Sequence, residues 1–426
     1  VQMSYLFGRR NVLIFTAILF TVSALWSEFA TTYVSFVTAR IIGGIVIGGA
    51  ILIAPIYIAE VAPPKLRGSL VSLNQLNIVI GISVAYFSNY FLKDIEGESW
   101  RWMLGVEAIP AFVYFVALFA VPRSPRWLIQ RRNLIEAAER ILTRIGGASY
   151  AKDTIREIRH GMDKKEAAGT FSDLFKSRMR TIMIIAVGIA FFQQITGINA
   201  IFYYAPTIFE QAGGSTDSSF LQAIVVGLTN LVFTLVAIRL IDRLGRKPLL
   251  IIGTAAMTIA LSMAAMAFNN ATYDISESNL DKIENESMKE HLAQLSGSTY
   301  GSQKEMFSAA EDVLDEDELF SFQRNEVKNF ISINATLVLV AILLYVAAFA
   351  ISLGPVMWTL LSEIFPGNIF GIAISVVGFF NSVVSYSVTH LFPWELTNLG
   401  PTWTFALYAI LAGLSLLFVM KFVIET

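Results

Sequence analysis

The chain has 426 residues, 55% of them hydrophobic and only 15% charged. A soluble domain carries about 25% charged residues, so this chain lacks the polar surface to cover itself in water and is read as an all-α polytopic membrane protein. Its zero cysteines exclude disulfides and thiolate metal sites, and its three histidines, His160, His291 and His390, stand too far apart for a metal centre, so no metal and no cofactor is expected. A net charge of −2 gives no reason to expect nucleic acid.

The chain opens on a tight basic turn, Phe7-Gly8-Arg9-Arg10. Apolar runs long enough to span a bilayer then fall at 11–28, 34–58, 70–92, 102–121, 181–210, 219–240, 249–267, 331–361, 372–392 and 402–424. Basic residues gather after every second run, at Arg9 and Arg10, Lys65 and Arg67, Arg123 through Arg180, and Arg243 through Lys247. Arg- and Lys-rich loops mark the cytoplasmic side, so the neutral or acidic loops 93–99, 211–218 and 268–330 are placed outside. Three domains follow: a bundle over 1–122, a cytoplasmic helical linker over 123–180, and a second bundle over 181–426. The linker reads as two or three short charged helices forming a latch or collar. The stretch 268–330 is acidic and poor in apolar residues, which predicts a partly helical cap or a disordered, solvated loop.

The most informative stretch is FFQQITGINAIFYYAP, residues 191–206. It sets Gln193, Gln194, Thr196, Asn199, Tyr203 and Tyr204 in an apolar run, where hydrocarbon cannot satisfy their donors and acceptors. Such groups must face protein or a wet cavity. On one straight helix Gln193 and Asn199 would point roughly 120° apart. Gly197, helped by Pro206, offers a break that lets them converge. Neutral amides and phenols beside apolar walls suit a polyhydroxylated, uncharged ligand; the alternative is that the amides only bond neighbouring helices. Gln75 and Asn230 are further amides in apolar runs, and Trp358 follows a break expected at Gly354-Pro355, where its indole could stack on a sugar ring.

The two halves repeat one another. Phe7-Gly8-Arg9-Arg10 returns as Leu244-Gly245-Arg246-Lys247, and Ile58-Ala59-Glu60 with Pro63 and Gly68 returns as Leu361-Ser362-Glu363 with Pro366 and Gly371. Both copies lie on the same side, which makes a parallel repeat about an axis along the membrane normal. Six runs follow the linker and four precede it, so symmetry predicts two further spans before residue 1.

The chain resembles the sugar porters of the major facilitator superfamily, with bacterial xylose–proton symporters and facilitative glucose carriers as the nearest groups. The motifs are RIIGG (40–44), PIYIAEVAPPKLRG (55–68), Val121 to Trp127, QQITGIN (193–199), DRLGRKP (242–248) and GPVMWTLLSEIFP (354–366). The resemblance implies the major facilitator fold, two six-helix bundles with the first two helices missing here, and a monomer in the inner or plasma membrane. It implies sugar contacts at Gln75, Gln193, Gln194, Asn199, Asn230, Trp358 and Asn381, and gating at Tyr203, Tyr204, Gly354 and Pro355. It also implies an inner ion-pair network of Arg40, Glu60, Arg67, Glu107, Arg246 and Glu363. Loop arginines such as Arg9 are read as plain anchors. The chain departs from the family pattern at Ile82, where xylose symporters carry a glutamine, at Ser382, where glucose carriers often hold tryptophan, at Phe370 in place of an arginine, and at Arg123 in place of a glutamate.

The function expected is monosaccharide transport by alternating access, with hexose or pentose as substrate and the lipid bilayer as surroundings. Proton symport is preferred, with sodium coupling and facilitated diffusion open, because the family's proton-binding carboxylate sits on a helix this chain does not contain. A non-transporting membrane sugar sensor is the reading from another class. An enzyme is not expected, since no span holds a carboxylate pair or a Ser/His arrangement.

Overall fold

The computed structural model describes residues 2–63, 67–163, 171–283, 285–366 and 369–425. Among them are ten helical stretches long and apolar enough to cross a membrane. After a short helix, Gln2–Phe7, come α1 (Arg9–Phe29), α2 (Tyr33–Val61), α3 (Arg67–Leu92), α4 (Ser99–Gly105) and α5 (Ala108–Ala120). Two helices outside the spans follow, α6 (Pro125–Arg132) and α7 (Ile135–Asp163), the latter kinked at Gly147. Then come α8 (Ser177–Ile195), α9 (Ile198–Gln211), α10 (Thr216–Leu244) and α11 (Arg246–Asn269). Beyond a folded insert lie α12 (Ala335–Ile351), α13 (Leu353–Ile364), α14 (Phe370–Asn398) and α15 (Gly400–Phe422). Two compact units result: Val1–Asp173 with Pro366–Ser375, and Leu174–Phe365 with Val376–Thr426.

Three spans are interrupted, and each interruption has a local cause. A proline removes a backbone donor and crowds the carbonyl four residues back. Pro110 is four residues past Val106, where α4 gives way to α5, and Pro355 is four past Ile351, where α12 ends. The break in the latter span is therefore at Ser352 (φ −125°, ψ −100°), not at Gly354-Pro355. Pro355 sits instead in the first turn of α13, whose backbone N–H groups have no helical partner to lose. The third break lies between α8 and α9 at Gly197, whose φ of 92° is a left-handed conformation that glycine adopts freely.

In the first unit α7 packs on α6, and α6 packs on the start of the chain and against α2. Trp127 donates from its indole to the Tyr5 carbonyl at 3.0 Å and covers Gly8, where a side chain would meet its ring at 3.2 Å. Gly8 (φ 89°) opens α1 and Gly245 (φ 86°) opens α11, so the repeated Gly-Arg turn has the same backbone in both units. In the second unit Glu425 accepts from the backbone N–H groups of Arg246 and Lys247 (2.7 and 3.0 Å), satisfying the free donors at the start of α11.

The insert is folded and partly helical, with short helices at Glu277–Leu280, Glu286–Leu292, Gln303–Glu311 and Glu316–Ser321, and it is not a disordered loop. It contains an antiparallel sheet ordered β2-β1-β3, with β1 at Thr272–Ile275, β2 at Ser298–Tyr300 and β3 at Ile331–Ser332. Tyr273, Ile275, Leu292, Met306, Phe322 and Phe330 bury a core of its own beneath the acidic surface. Phe322 lies in van der Waals contact with Phe307 and Phe330, ring centroids 6.0 and 5.6 Å away. Phe322→Ala is expected to destabilise the insert by about 3 kcal/mol or more, seen as faster proteolysis within 272–332 while the spans stay protected. Hydrogen bonds from Ser287 and His291 hold the Glu318 carboxyl below the usual glutamate range. Its contribution is present above the unfolded glutamate pKa of about 4.3 and is lost as pH falls through the lower folded value. Acid should therefore loosen the helix Glu316–Ser321 in the wild type, and Glu318→Gln should loosen it at neutral pH, both read by amide exchange.

Candidate functional site

Gly197 turns the chain so that residues on either side of it converge. Gln193 and Gln194 close α8, Asn199 opens α9, and Asn381 faces them from α14. Asn381 donates from Nδ2 to Gln193 Oε1 (2.9 Å) and to the Ala190 carbonyl (3.0 Å), and its Oδ1 accepts from Gln194 Nε2 (3.1 Å). Gln193 Nε2 reaches the Leu353 carbonyl at 3.1 Å, where α13 begins. Asn199 Nδ2 bridges the break to Gln194 Oε1 (2.9 Å) and donates to Ser385 Oγ (2.7 Å). Gln193, Gln194 and Asn381 are 4%, 9% and 7% exposed, so these amides satisfy one another away from lipid. The carbonyl freed at Thr196 accepts from Tyr345 Oη at 2.8 Å.

The other candidate contacts stand differently. Asn230 on α10 is buried, but among the described residues no hydrogen bond joins it to the four amides. Trp358 is half-buried on α13, six residues past the break at Ser352. Gln75 belongs to the first unit, half-buried on α3. Tyr203 and Tyr204 diverge: Tyr203 is exposed, whereas Tyr204, at a non-helical turn two residues before Pro206, packs on Phe392 with centroids 5.4 Å apart.

Within the first unit the expected ion-pair network is not one cluster among the described residues. Arg40 and Glu60 lie on the same helix, 20 residues apart (60 − 40), which is about 30 Å at 1.5 Å per residue. Arg40 pairs at 3.3 Å with Glu107, in the α4–α5 junction, a bilayer core's thickness from Glu60. Glu60 pairs instead with Arg9 (2.7 Å) and accepts from Ser124 Oγ (2.6 Å), so Arg9 is a partner and not a plain anchor. Arg246 makes a two-pronged pair with Glu363, at 2.6 and 3.2 Å. The side chain of Arg67 lies outside the described residues. Arg9–Glu60 and Arg246–Glu363 occupy equivalent places in the internal repeat. They differ in burial: side-chain exposures are 10% and 8% for the first pair and 20% and 30% for the second. Breaking a buried pair strands a charge, whereas an open one loses little. Glu60→Gln should therefore destabilise the protein by about 3 kcal/mol and Glu363→Gln by under about 1 kcal/mol, in an SDS titration followed by circular dichroism.

Two carboxylates within spans escape a reading by motif. Glu28, near the end of α1, is 9% exposed and fills the space left by the absent side chain of Gly105. Glu395, near the end of α14, accepts from Tyr408 Oη at 2.8 Å. Their only sequence signal is a lone glutamate in an apolar run, which in a membrane is a functional hypothesis by default.

Broken spans carrying a buried polar cluster, in two units that repeat each other's ion pairs, define a multi-pass membrane carrier with the major facilitator fold. The chain belongs to the family described as "Sugar (and other) transporter", whose profile matches residues 2–283 and 320–426; it is a transporter and not an enzyme. It is 34% identical over 450 residues to a D-xylose-proton symporter of Escherichia coli (strain K12), covering 99% of this chain and 78% of that one. It is 32% identical over 426 residues to an arabinose-proton symporter of Bacillus subtilis (strain 168), with coverage of 99% and 78%. The partially occluded inward-open structure of the E. coli xylose transporter XylE superposes with a TM-score of 0.73 at 34% identity, covering 99% of this chain and 82% of that one. Residues 284–319 of the insert lie outside the family profile.

Proposed function

We propose that the protein is a proton-coupled monosaccharide symporter of the plasma membrane, carrying a pentose or hexose by alternating access. The observation that carries this reading is the amide cluster of Gln193, Gln194, Asn199 and Asn381 at a broken helix, together with the likeness to proton symporters for xylose and arabinose. Hydroxyls of a sugar replace the amide–amide bonds one for one, so opening the cluster costs little beyond the bonds regained. Asn230 and Trp358 add to the contacts of the second unit, and Tyr203, Tyr204, Gly354 and Pro355 serve the gate. Glu60 with Arg9, and Glu363 with Arg246, hold the cytoplasmic ends in the outward-facing state. The insert faces outside, and the carrier works as a monomer.

Counterflow of labelled xylose and glucose into proteoliposomes tests the reading. Accumulation driven by an inward proton gradient supports it. Dependence on a sodium gradient replaces the coupling ion, gradient-independent exchange makes the protein a facilitative carrier, and binding without flux makes it a sensor.

A further inference from the structure

The junction between α8 and α9 is held by two buried tyrosines. Tyr345, on α12 and 0% exposed, donates to the Thr196 carbonyl. Tyr408, on α15 and 1% exposed, lays its ring against Gly197 so closely that a Cβ there would come within 3.3 Å of three ring atoms. A ring buried at a junction leaves its hydroxyl in need of a partner, and that partner is Glu395 of α14, at 2.8 Å. The contact continues sideways. Phe392, one turn before Glu395, stacks on Tyr408 (centroids 6.1 Å) and meets Tyr204 at a tilt (5.4 Å), the residue where α9 departs from helical geometry.

The geometry points to Glu395 as a positioning residue: through Tyr408 it clamps the Gly197 junction and so fixes Asn199 and Tyr204 of α9 relative to Gln194 of α8. The carboxylate touches none of the amides among the described residues. It works by fixing where the Tyr408 ring rests, and that ring is the floor on which the left-handed turn sits. The hydrogen bond across the break, from Asn199 Nδ2 to Gln194 Oε1, holds only while the two helices keep this angle.

Amide hydrogen exchange over residues 194–204 of the whole chain, in nanodiscs and without sugar, reads the clamp directly and needs no transport. Tyr408→Phe, which removes one oxygen, and Glu395→Leu should each speed exchange there about tenfold. The double variant should do no more than either alone, because both remove the same bond. Glu395→Gln keeps an acceptor and should stay within about twofold of the wild type. A second readout rests on the carrier reading above: Tyr408→Phe should raise the half-saturation for sugar in counterflow while the maximal rate is retained. Unchanged exchange in both single variants, additive effects in the double one, or failure of Glu395→Gln to match the wild type would overturn the clamp. A clamp signature in exchange from a protein that moves no sugar would uphold the clamp and remove the carrier reading instead.

Discussion

Gln194→Ala is expected to weaken sugar binding about a hundredfold while the protein still folds. The side chain links Asn381 on one side and Asn199 on the other. Its loss deletes the hydrogen bonds its amide makes to a ligand and leaves the sugar hydroxyls that met it desolvated and unpartnered, at about 1–3 kcal/mol. About 3 kcal/mol in all is roughly two powers of ten in affinity. Calorimetric titration of the detergent-solubilised variant with xylose and glucose gives the affinity, and far-UV circular dichroism checks the fold. Wild-type affinity in a folded variant would remove the amide cluster from the binding site.

Gly197→Val should cost more than binding alone. The residue sits at φ 92°, a region that costs a residue with a Cβ about 1–2 kcal/mol and is a true outlier for a β-branched one. The new side chain also meets the Tyr408 ring, which is buried and cannot retreat without disturbing its neighbours. A loss of about 3 kcal/mol in stability and abolished counterflow are expected, with Gly197→Ala intermediate in both. The SDS midpoint and labelled-sugar exchange of the same preparation measure them. A valine variant as stable and as active as the wild type would show that the junction tolerates a regular helix.

Much of this architecture is legible in the amino-acid sequence. Hydrocarbon admits few polar groups, so the spans announce themselves by composition, and each of the ten apolar runs has its helical counterpart. Gly197 can be picked out as the break because two amides on one straight helix would otherwise diverge. The break near Trp358 falls at Ser352 because a proline disturbs the turn before it, which a motif centred on Gly354-Pro355 hides. The ion pairs go astray for a different reason. Charge signs and motifs do not say at which end of a helix a residue stands, yet counting residues along α2 separates Arg40 from Glu60. The repeat likewise implies the missing partner: if Arg246 pairs with Glu363, its counterpart Arg9 belongs with Glu60.

The insert and the aromatic floor are harder to see. In 268–330 the acidic runs dominate the eye, while the residues that build its core are spread singly over about 60 positions and meet only when the short helices fold back on the sheet. Tyr345 and Tyr408 look like ordinary aromatic residues of apolar spans until both are found at the same glycine turn.

In the insert, β1 leaves α11 and β3 returns to α12 as antiparallel neighbours, with Thr272 opposite Ser332. The 59 residues between that pair (331 − 273 + 1) therefore begin and end one strand spacing apart, about 4.8 Å. To the membrane helices the whole appendage is equivalent to a hairpin bend. A change of length inside the insert leaves the two helix ends one strand spacing apart, so a module of another size fits there while the spans it joins keep their places.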